Sequence, residues 1–216
     1  MPNWCNNYIK ISGAESKMKP IYDLFKDSKS DEDTWVMTSL VPENEEFEEI
    51  KASGQYLLSP YVEYYGTKWD FLVEDCDLND LEPTSICFSV SSAWSPPEPF
   101  CKRLSEKYGV DVTIDFSEGG ADFAGRSYYS EGEEIESETY SYREGMYYLD
   151  NEVFWTDLES DMEWIFCENP NITLDEVLGT MYPFVTDEDD KETIKESYNE
   201  WKEHYEKSGE ESESEV

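Results

Sequence analysis

The sequence has few basic residues and a single histidine. Only 16 Lys and Arg stand against 52 Asp and Glu, which leaves a formal net charge of −36 and a sequence pI near 4.1. A protein that binds nucleic acid directly needs a basic surface to replace the counterions of the phosphates. This chain would instead repel nucleic acid and an anionic membrane surface alike. We therefore expect a basic protein as its partner, with no direct contact to nucleic acid or membrane.

The sequence also lacks long apolar runs and paired cysteines. No apolar run approaches the roughly 20 residues that span a bilayer, and the opening MPNWCNN has neither the basic nor the apolar region of a secretory signal. The five cysteines are scattered without a C-x-x-C pair, which suits neither a disulfide framework nor a zinc site. We expect a soluble cytoplasmic protein with reduced, mostly buried thiols.

The usual catalytic and metal-binding patterns are missing as well. With His204 as the one histidine, a histidine-based triad or a multi-histidine metal site within one chain is excluded. An EF-hand loop counted from Asp75 would need Gly and Glu where Asp80 and Ile86 stand. The segment GGADFAGRS lacks the Lys-Ser/Thr of a phosphate-binding P-loop. We predict no cofactor, no dedicated metal site and no enzymatic activity; weak association of Mg²⁺ or Ca²⁺ with clustered carboxylates stays an alternative.

Aromatic side chains are plentiful, and the hydrophobic pattern predicts an α+β fold. Seven Trp, 16 Tyr and 10 Phe supply enough apolar side chains for a hydrophobic core. Alternating residues predict strands, and apolar residues at helical spacing predict helices between them. The predicted elements are a strand at 7–12, a helix at 15–26, strands at 71–73 and 85–90, a helix within SPPEPFCKRLSEKYG that ends at Gly109, and a strand at 110–116. This β-α-β-β-α-β order predicts a ferredoxin-like split βαβ sheet.

The remaining chain is predicted to extend that sheet and then to become helical. From Phe123 to Tyr148 the chain is rich in Tyr, Ser and Thr and is interrupted by Gly125, Gly132 and Gly145, which predicts an antiparallel meander. Two stripes of apolar residues follow at helical spacing: Phe154, Leu158, Met162 and Ile165, then Ile194, Tyr198, Trp201 and Tyr205. Thr186 is the predicted cap of the helix that carries the second stripe. The predicted organisation is a domain at 1–148 with an acidic loop insertion at 30–60, an acidic helical segment at 149–208 and a disordered acidic tail at 209–216.

The acidic residues are concentrated in the second half of the chain. Residues 111–216 hold 32 acidic and 6 basic side chains, a net charge of −26 out of the total of −36. We expect two exposed clusters to contact a partner: Glu131, Glu133, Glu134, Glu136 and Glu138 on the meander, and Asp187, Glu188, Asp189 and Asp190 at the start of the last helix. The alternative interpretation is that the acidity only keeps the protein soluble.

Four separated motifs resemble one family. They are PNWCNNYIKISG at the start, EYYGTKWD at 63–70, SSAWSPPEPFCKRLSEKYG at 91–109 and EGGADFAG at 118–125. In this order they resemble the phage and mobile-element proteins grouped as Api-like, whose latter part is described as ferredoxin-like. The resemblance covers about residues 1–145 and implies no particular activity. Two departures from the pattern, Tyr65 for Trp and Ser92 for Thr, leave the expected fold unchanged.

The motifs also suggest what lies at one end of the sheet. Trp4, Trp69 and Trp94 stand beside tight Gly or Pro turns, which suggests aromatic plugs, and Gly66 and Gly125 would permit backbone conformations closed to other residues. A functional interpretation makes this end a polar pocket. Its candidate residues are Lys68, Asp70, Trp94 and Arg126, with Ser95 and Asp122 beside them. Lys68 with Asp70 could equally form an ordinary ion pair.

Three functions are compatible with these features. The first is an inhibitor of a host defence enzyme that imitates nucleic-acid charge, since 36 net charges correspond to about 18 base pairs of duplex. The second is a protein that binds or sequesters a small molecule or nucleotide in the sheet-end pocket, with or without catalysis. The third is an interaction subunit whose contact is aromatic, and which would show little salt dependence.

Overall fold

The chain folds into an antiparallel sheet with helices between and after its strands. The computed structural model describes residues 3–27 and 33–214. The chain divides into two compact units, Met1–Tyr142 and Arg143–Val216. The sequence-based division placed this boundary six residues later, after residue 148.

The first unit contains the whole sheet. Its strands are β1 (Trp4–Ser12), β2 (Asp77–Glu82), β3 (Ser85–Ala93), β4 (Asp111–Glu118), β5 (Phe123–Ser130) and β6 (Glu133–Tyr140). Their spatial order is β2-β3-β1-β4-β5-β6, and every neighbouring pair is antiparallel. With helices α1 (Glu15–Asp27) and α5 (Glu98–Tyr108), strands β1 to β4 form the predicted ferredoxin-like arrangement, which β5 and β6 extend.

One face of this sheet is covered and the other is open. Along β1 the exposed and buried residues alternate, with Cys5, Asn7, Ile9 and Ile11 on the buried side. The core on that side joins the strands to α1 and α5, for example where the ring of Phe25 lies 5.0 Å from that of Phe88. Because successive side chains of a strand point to opposite faces, the open face carries the alternate residues, which on β1 are the exposed Trp4, Asn6, Tyr8 and Lys10. Lys10 and Glu136 are two exposed examples.

The segment predicted as an acidic loop insertion contains short helices, the first of which begins at residue 36. It contains α2 (Val36–Leu40), α3 (Glu45–Ser53) and α4 (Pro60–Tyr65), while residues 30–32 lie outside the described residues. The side chain of Asn44 accepts a hydrogen bond from the Phe47 amide at the start of α3, and that of Ser59 does the same for Val62 in α4. The loop interpretation overlooked a set of apolar side chains that enter the core: Val36, Met37, Leu40, Val41 and Phe47.

Three other predicted elements differ in the structure. Residues 71–73 form no strand; Val73–Asp75 is a turn of 3₁₀-helix, and the second strand comes instead from Asp77–Glu82 within the acidic run. The meander ends at Tyr140, because the chain continues as α6 (Tyr142–Leu149). The last helix is capped by Asp187 rather than Thr186, since Asp187 Oδ1 accepts from the amides of Asp189 and Asp190.

The second unit is helical and has its own apolar core. After α6 it contains α7 (Asn151–Glu168), the short α8 (Leu174–Glu176) with a π-helical turn at Val177–Met181, and α9 (Glu188–Ser214). The predicted stripe on α7 is buried throughout; on α9, Ile194 and Tyr198 are buried while Tyr205 is exposed. Arg143 forms a two-pronged ion pair with Asp161 within this unit. Helix α9 extends through residues 209–214 of the predicted tail, and residues 215 and 216 lie outside the described residues.

Two glycines of the motifs are required for different reasons. Gly66 has φ of +89°, and a Cβ there would lie 2.4 Å from Pro99 Cδ and 2.8 Å from the Pro96 carbonyl oxygen. Gly125 has no such φ; a Cβ there would lie 2.4 Å from the Glu138 carbonyl oxygen on β6. The prediction of an unusual backbone conformation thus applies to Gly66, while Gly125 is required by space.

Replacing Gly66 by alanine should destabilise the fold strongly. The variant Gly66→Ala combines an unfavourable φ with a clash against proline and backbone, which we expect to cost about 2–4 kcal/mol of unfolding free energy. Gly54→Ala is the matched control, because Gly54 has φ of +61° with nothing within 4 Å of its Cβ position. It should cost about 1 kcal/mol. Denaturant unfolding of both variants measures the difference, and equal losses would contradict the clash.

The cysteines should differ sharply in reactivity. Cys167 is exposed and the other four are buried and free. Burial raises the pKa of the Cys5 and Cys76 thiols to about 12 and also raises that of Cys101, so the reactive thiolate is scarce there at neutral pH. An aromatic disulfide reagent should label one thiol rapidly in the folded protein and all five after unfolding. Cys167→Ser should remove the rapid phase; a persisting rapid phase would contradict this assignment.

Candidate binding site

The four sequence motifs meet at one end of the sheet. Strand β1 begins there at Trp4, which pairs with Ala93 at the end of β3. Strand β4 ends beside them, because Asn6 pairs with Ser117 and Glu118 is its last residue. The turns that follow β3 and β4 therefore lie at this end. The turn at 66–70 lies beside them, because Thr67 donates a hydrogen bond to Ala93 at the end of β3.

The turns at 66–70 and 94–97 are fastened to each other. Ser95 Oγ donates a hydrogen bond to the Gly66 carbonyl oxygen at 2.5 Å, and Thr67 Oγ1 donates to the Ala93 carbonyl oxygen at 2.9 Å. Trp94 has φ of +79°, a conformation rarely adopted by a bulky residue. Its amide donates to the Asn3 carbonyl oxygen at 2.9 Å, which ties the same turn to the start of β1.

A group of exposed aromatic side chains surrounds these turns. Four tryptophans are 37–51% exposed, namely Trp4, Trp35, Trp69 and Trp94. Together with Tyr61 we call them the aromatic cluster. Large apolar side chains exposed side by side are unusual on a soluble domain and commonly mark a contact surface. The rings of Trp4 and Trp69 have centroids 6.1 Å apart.

Two adjoining cavities open within the aromatic cluster. The Trp35 cavity, of about 570 Å³, is lined by Trp35, Thr38, Tyr61, Lys68, Trp69 and Asp70. The Trp4 cavity, of about 490 Å³, is lined by Trp4, Trp69, Asp70, Phe71, Asp75 and Ser91 to Ala93. Trp69 and Asp70 belong to both, so this residue pair forms the shared wall. Both volumes fall in the range of small-molecule sites.

Lys68 extends between two tryptophan rings. Its Nζ lies 4.5 Å from the ring centroid of Trp69 and 4.3 Å from that of Trp94, which are cation–π distances. The expected alternative of an ordinary ion pair with Asp70 is wrong, since no such pair forms. Among the residues that the structure describes, no acceptor lies within hydrogen-bonding distance of this ammonium group.

Asp70 has a structural task instead. Its two carboxylate oxygens accept hydrogen bonds from the amides of Met37, Thr38 and Phe71, at 2.8, 2.9 and 2.8 Å, and from Thr38 Oγ1 at 2.8 Å. It thereby caps the first turn of α2 from a distant part of the chain, whereas a helix is ordinarily capped by the residue directly before it. This cap holds Trp35, which directly precedes α2, against the 66–70 turn.

The other predicted pocket residues do not line the two cavities. Arg126 lies on the open face of the sheet, where its Nε and Nη2 donate to Asp115 at 2.5 and 2.6 Å. These bonds raise the pKa of the guanidinium group. The Ser95 hydroxyl donates its hydrogen bond to the Gly66 carbonyl oxygen, and Asp122 accepts a hydrogen bond from the Tyr142 amide at 3.1 Å. Lys68, Asp70 and Trp94 are thus adjacent, and Arg126 is separate from them.

The remaining motif residues hold the strand ends in place. Asn7 is buried, and its Nδ2 donates to the Val90 carbonyl oxygen at 3.0 Å and to Ser92 Oγ at 2.9 Å. The buried Glu118 carboxylate accepts from the amides of Gly120 and Ala121 and so closes the turn after β4. These polar groups are satisfied within the fold, which explains the W-C-x-N and E-G-G motifs without a ligand.

The first acidic cluster lies along β6, at the free edge of the described sheet. All residues from Glu133 to Thr139 are exposed, and Glu131 in the preceding turn forms an ion pair with Lys17 at 3.6 Å. A bulge at Ile135 changes the register, so that Glu133, Glu136 and Glu138 lie opposite Ser130, Tyr128 and Arg126. These three carboxylates therefore share the open face at a regular interval of two β5 residues, about 6.8 Å. Glu134 lies opposite Tyr129 and belongs to the other face.

Most side chains of the second acidic cluster, which lies in the second unit, form contacts at the start of α9. Asp187 is the cap, Glu188 pairs with Lys191 at 2.8 Å, and Asp190 accepts from the Tyr147 hydroxyl at 2.6 Å. The hydrogen bond to Asp190 raises the pKa of Tyr147 to about 12. Acidic residues in a first helical turn also stabilise the helix through its dipole. The cluster thus has a local structural explanation.

Two properties of the described residues bear on other kinds of site. Within 3–27 and 33–214, no group of three or more His, Cys, Asp and Glu side chains lies close enough together to hold a metal ion. The helices in that part of the chain are also too short or too polar to cross a membrane.

Comparison with known proteins agrees with the architecture. The sheet order and its helices define a ferredoxin-like α+β domain followed by C-terminal helices. Residues 68–159 match a family model described as "Ferredoxin-like domain in Api92-like protein". This finding supports similarity to an Api-like family over the matched part of the chain.

Two further comparisons concern solved structures and curated protein sequences. A crystal structure of a protein api92 from Yersinia pseudotuberculosis is matched with a TM-score of 0.40 and 9% sequence identity, over 65% of this chain and 99% of that one. No curated protein sequence matches this chain.

Trp35 and Tyr61 are site residues that the sequence analysis missed. Trp35 lies in the segment interpreted as a loop insertion at 30–60, and Tyr61 directly follows it; both line the Trp35 cavity. The available signal was the helical spacing of the apolar residues after Trp35, together with a Ser-Pro helix start just before Tyr61. Either would have indicated helices that pack on the domain.

Removing the Asp70 cap should loosen the aromatic cluster. Asp70→Ala leaves the amides of Met37 and Thr38 without their acceptor, and we expect a loss of about 1–3 kcal/mol in unfolding free energy. Asp75→Ala is the control, because Asp75 lines the neighbouring cavity and accepts one backbone hydrogen bond, from Leu72 at 3.1 Å. Denaturant unfolding followed by tryptophan fluorescence measures both, and a loss no larger for Asp70→Ala than for Asp75→Ala would contradict the capping role.

Proposed function

We propose that this chain is an acidic binding protein that occupies a nucleic-acid-binding surface of a basic protein by imitating phosphate charge. Its target would be a nucleic-acid-handling defence enzyme, such as a restriction or CRISPR nuclease, in the cytoplasm of a host cell. The chain would come from a phage or other mobile element and would act by binding rather than by catalysis.

The observation that carries the proposal is the regular row of carboxylates on β6. Glu133, Glu136 and Glu138 share one exposed face at intervals of about 6.8 Å. One strand of DNA carries a charge every 3.4 Å along its axis, so the interval equals two phosphate steps. None of the three carboxylates forms an ion pair within the described residues. An edge strand can also approach a partner closely, because only one of its sides is occupied by a neighbouring strand.

The long-range field supports the same proposal. A net charge of −36 would steer the protein toward a basic cleft and raise the association rate at low salt. The counterions of the cleft would be released on binding, so the affinity should fall as salt is added. We assign the row on β6 to the contact itself and the acidic start of α9 to folding, because the carboxylates of Asp187, Glu188 and Asp190 are engaged within their own unit.

A change of three charges on β6 should weaken binding without changing the fold. The triple variant Glu133→Gln, Glu136→Gln, Glu138→Gln should retain the melting temperature within a few degrees and bind its partner about tenfold more weakly or worse. The matched control is Glu163→Gln, Glu196→Gln, Glu200→Gln, three exposed positions of α7 and α9 with the same change in net charge.

The measurement is capture of partners from host lysate on tagged wild type and both variants at low and high salt. A basic nucleic-acid-binding protein that wild type and control retain, that the β6 variant loses and that duplex DNA displaces is the expected result. Equal retention by both variants would remove β6 from the contact. Partners indifferent to salt and DNA would overturn charge mimicry altogether.

A further inference from the structure

Lys68 is an unneutralised cation in a protein whose net charge is −36. It is half-buried between Trp69 and Trp94, and no carboxylate lies within ion-pair distance among the described residues. An ammonium group has three N–H donors, and here the described structure supplies no acceptor for them. The ring contacts hold the cation in place by their quadrupoles but satisfy none of these donors. Lys68 is therefore positioned to receive an anion.

The surroundings of Lys68 fit a flat aromatic group. In the Trp35 cavity the side chains of Trp35, Tyr61 and Trp69 present rings, while Thr38 and Asp70 supply the polar part of the wall. Both oxygens of Asp70 already accept hydrogen bonds, and Thr38 Oγ1 donates to one of them. The wall therefore offers ring faces for stacking, and Lys68 offers the open donors. Stacking on aromatic side chains contributes to binding of any nucleobase, because every base has a π face.

The net negative charge of the protein limits the number of phosphate groups that such a ligand can carry. A polymer of phosphates would be repelled at many points by the carboxylates of this chain. A ligand with a single phosphate group meets only the nearby part of that field, because charges more than about 8 Å away are largely screened at physiological salt. The carboxylate in the cavity wall, that of Asp70, already accepts four hydrogen bonds. The field therefore disfavours nucleic acid far more strongly than a mononucleotide.

We propose that the Trp35 cavity binds a nucleoside monophosphate, with the base among Trp35, Tyr61 and Trp69 and the phosphate on Lys68. The site is separate from the carboxylate row on β6 and does not require the function proposed above. Lys68 serves as the anion anchor, and Trp69, whose ring contacts Lys68 and lines the cavity, holds both parts of the ligand.

The test is a titration of the full chain observed through its indole N–H resonances. Seven tryptophans give seven signals, which single Trp→Phe variants assign. The probes are AMP, adenosine and inorganic phosphate in 150 mM salt. Saturable shifts of Trp35, Trp69 and Trp94 with AMP, at least tenfold weaker binding of adenosine and no saturation by phosphate alone are expected. No saturable shift up to about 20 mM AMP would overturn the proposal.

Substitutions at Lys68 separate the anchor from the fold. Lys68→Met keeps the aliphatic stem and removes the charge, so AMP affinity should fall about tenfold while adenosine binding is unchanged. Lys68→Arg retains the charge and should retain most of the affinity. Lys10→Met is the control, because Lys10 is an exposed cation of β1 that also lacks an ion pair within the described residues. Equal AMP affinity in Lys68→Met and wild type, or an equal loss in Lys10→Met, would overturn the assignment.

Discussion

The contact between the backbone at Gly66 and the proline turn after β3 is the constraint on which the sheet end depends. No Cβ fits between Gly66 and the Pro96–Pro99 segment, and Ser95 closes the contact by a hydrogen bond to the Gly66 carbonyl oxygen. Because the 66–70 turn is held there, Lys68 extends between two tryptophan rings and Asp70 reaches the amides of α2. One close backbone approach therefore positions the cation, the ring walls and the helix that directly follows Trp35.

The molecule presents two surfaces of opposite chemistry in its first unit. The row on β6 is anionic and exposed, and its regular interval arises from a bulge at Ile135 that brings Glu133 and Glu136 to the same face. The aromatic cluster is concave and carries Lys68, which has no ion-pair partner in the part of the chain that the structure describes. A basic protein surface complements the first, and a small aromatic anion complements the second. The two proposals are physically independent, since neither surface uses a residue of the other.

Elements with a local sequence pattern were predictable, whereas those that depend on burial against distant residues were not. Strands β1 and β4 and helices α1 and α5 followed from alternation, helical spacing and the Pro and Gly at the ends of α5. The insertion at 30–60 was misinterpreted as a loop because its acidic residues suggested solvent exposure, whereas its apolar residues from Val36 to Phe47 enter the core. Residues 71–73 have strand-forming side chains, yet their pairing is limited to an isolated antiparallel bridge between Leu72 and Trp35, and the chain turns at Val73–Asp75. The meander was extended too far, since nothing local distinguishes a tyrosine-rich strand from the tyrosine-rich helix α6.

Sequence by itself determined the sign and size of the charge, the ferredoxin-like order of elements and the motifs that meet at one end of the sheet. Those properties depend on composition and on short-range periodicity, which one chain displays directly. Only the tertiary structure decided which polar residues remain open to a ligand. Asp70 and Arg126 look like pocket residues in sequence, but a helix start and Asp115 satisfy them, while Lys68 beside them has no such partner among the described residues. Whether a polar group is satisfied depends on neighbours that are distant in sequence, so this property exists only once the chain has folded.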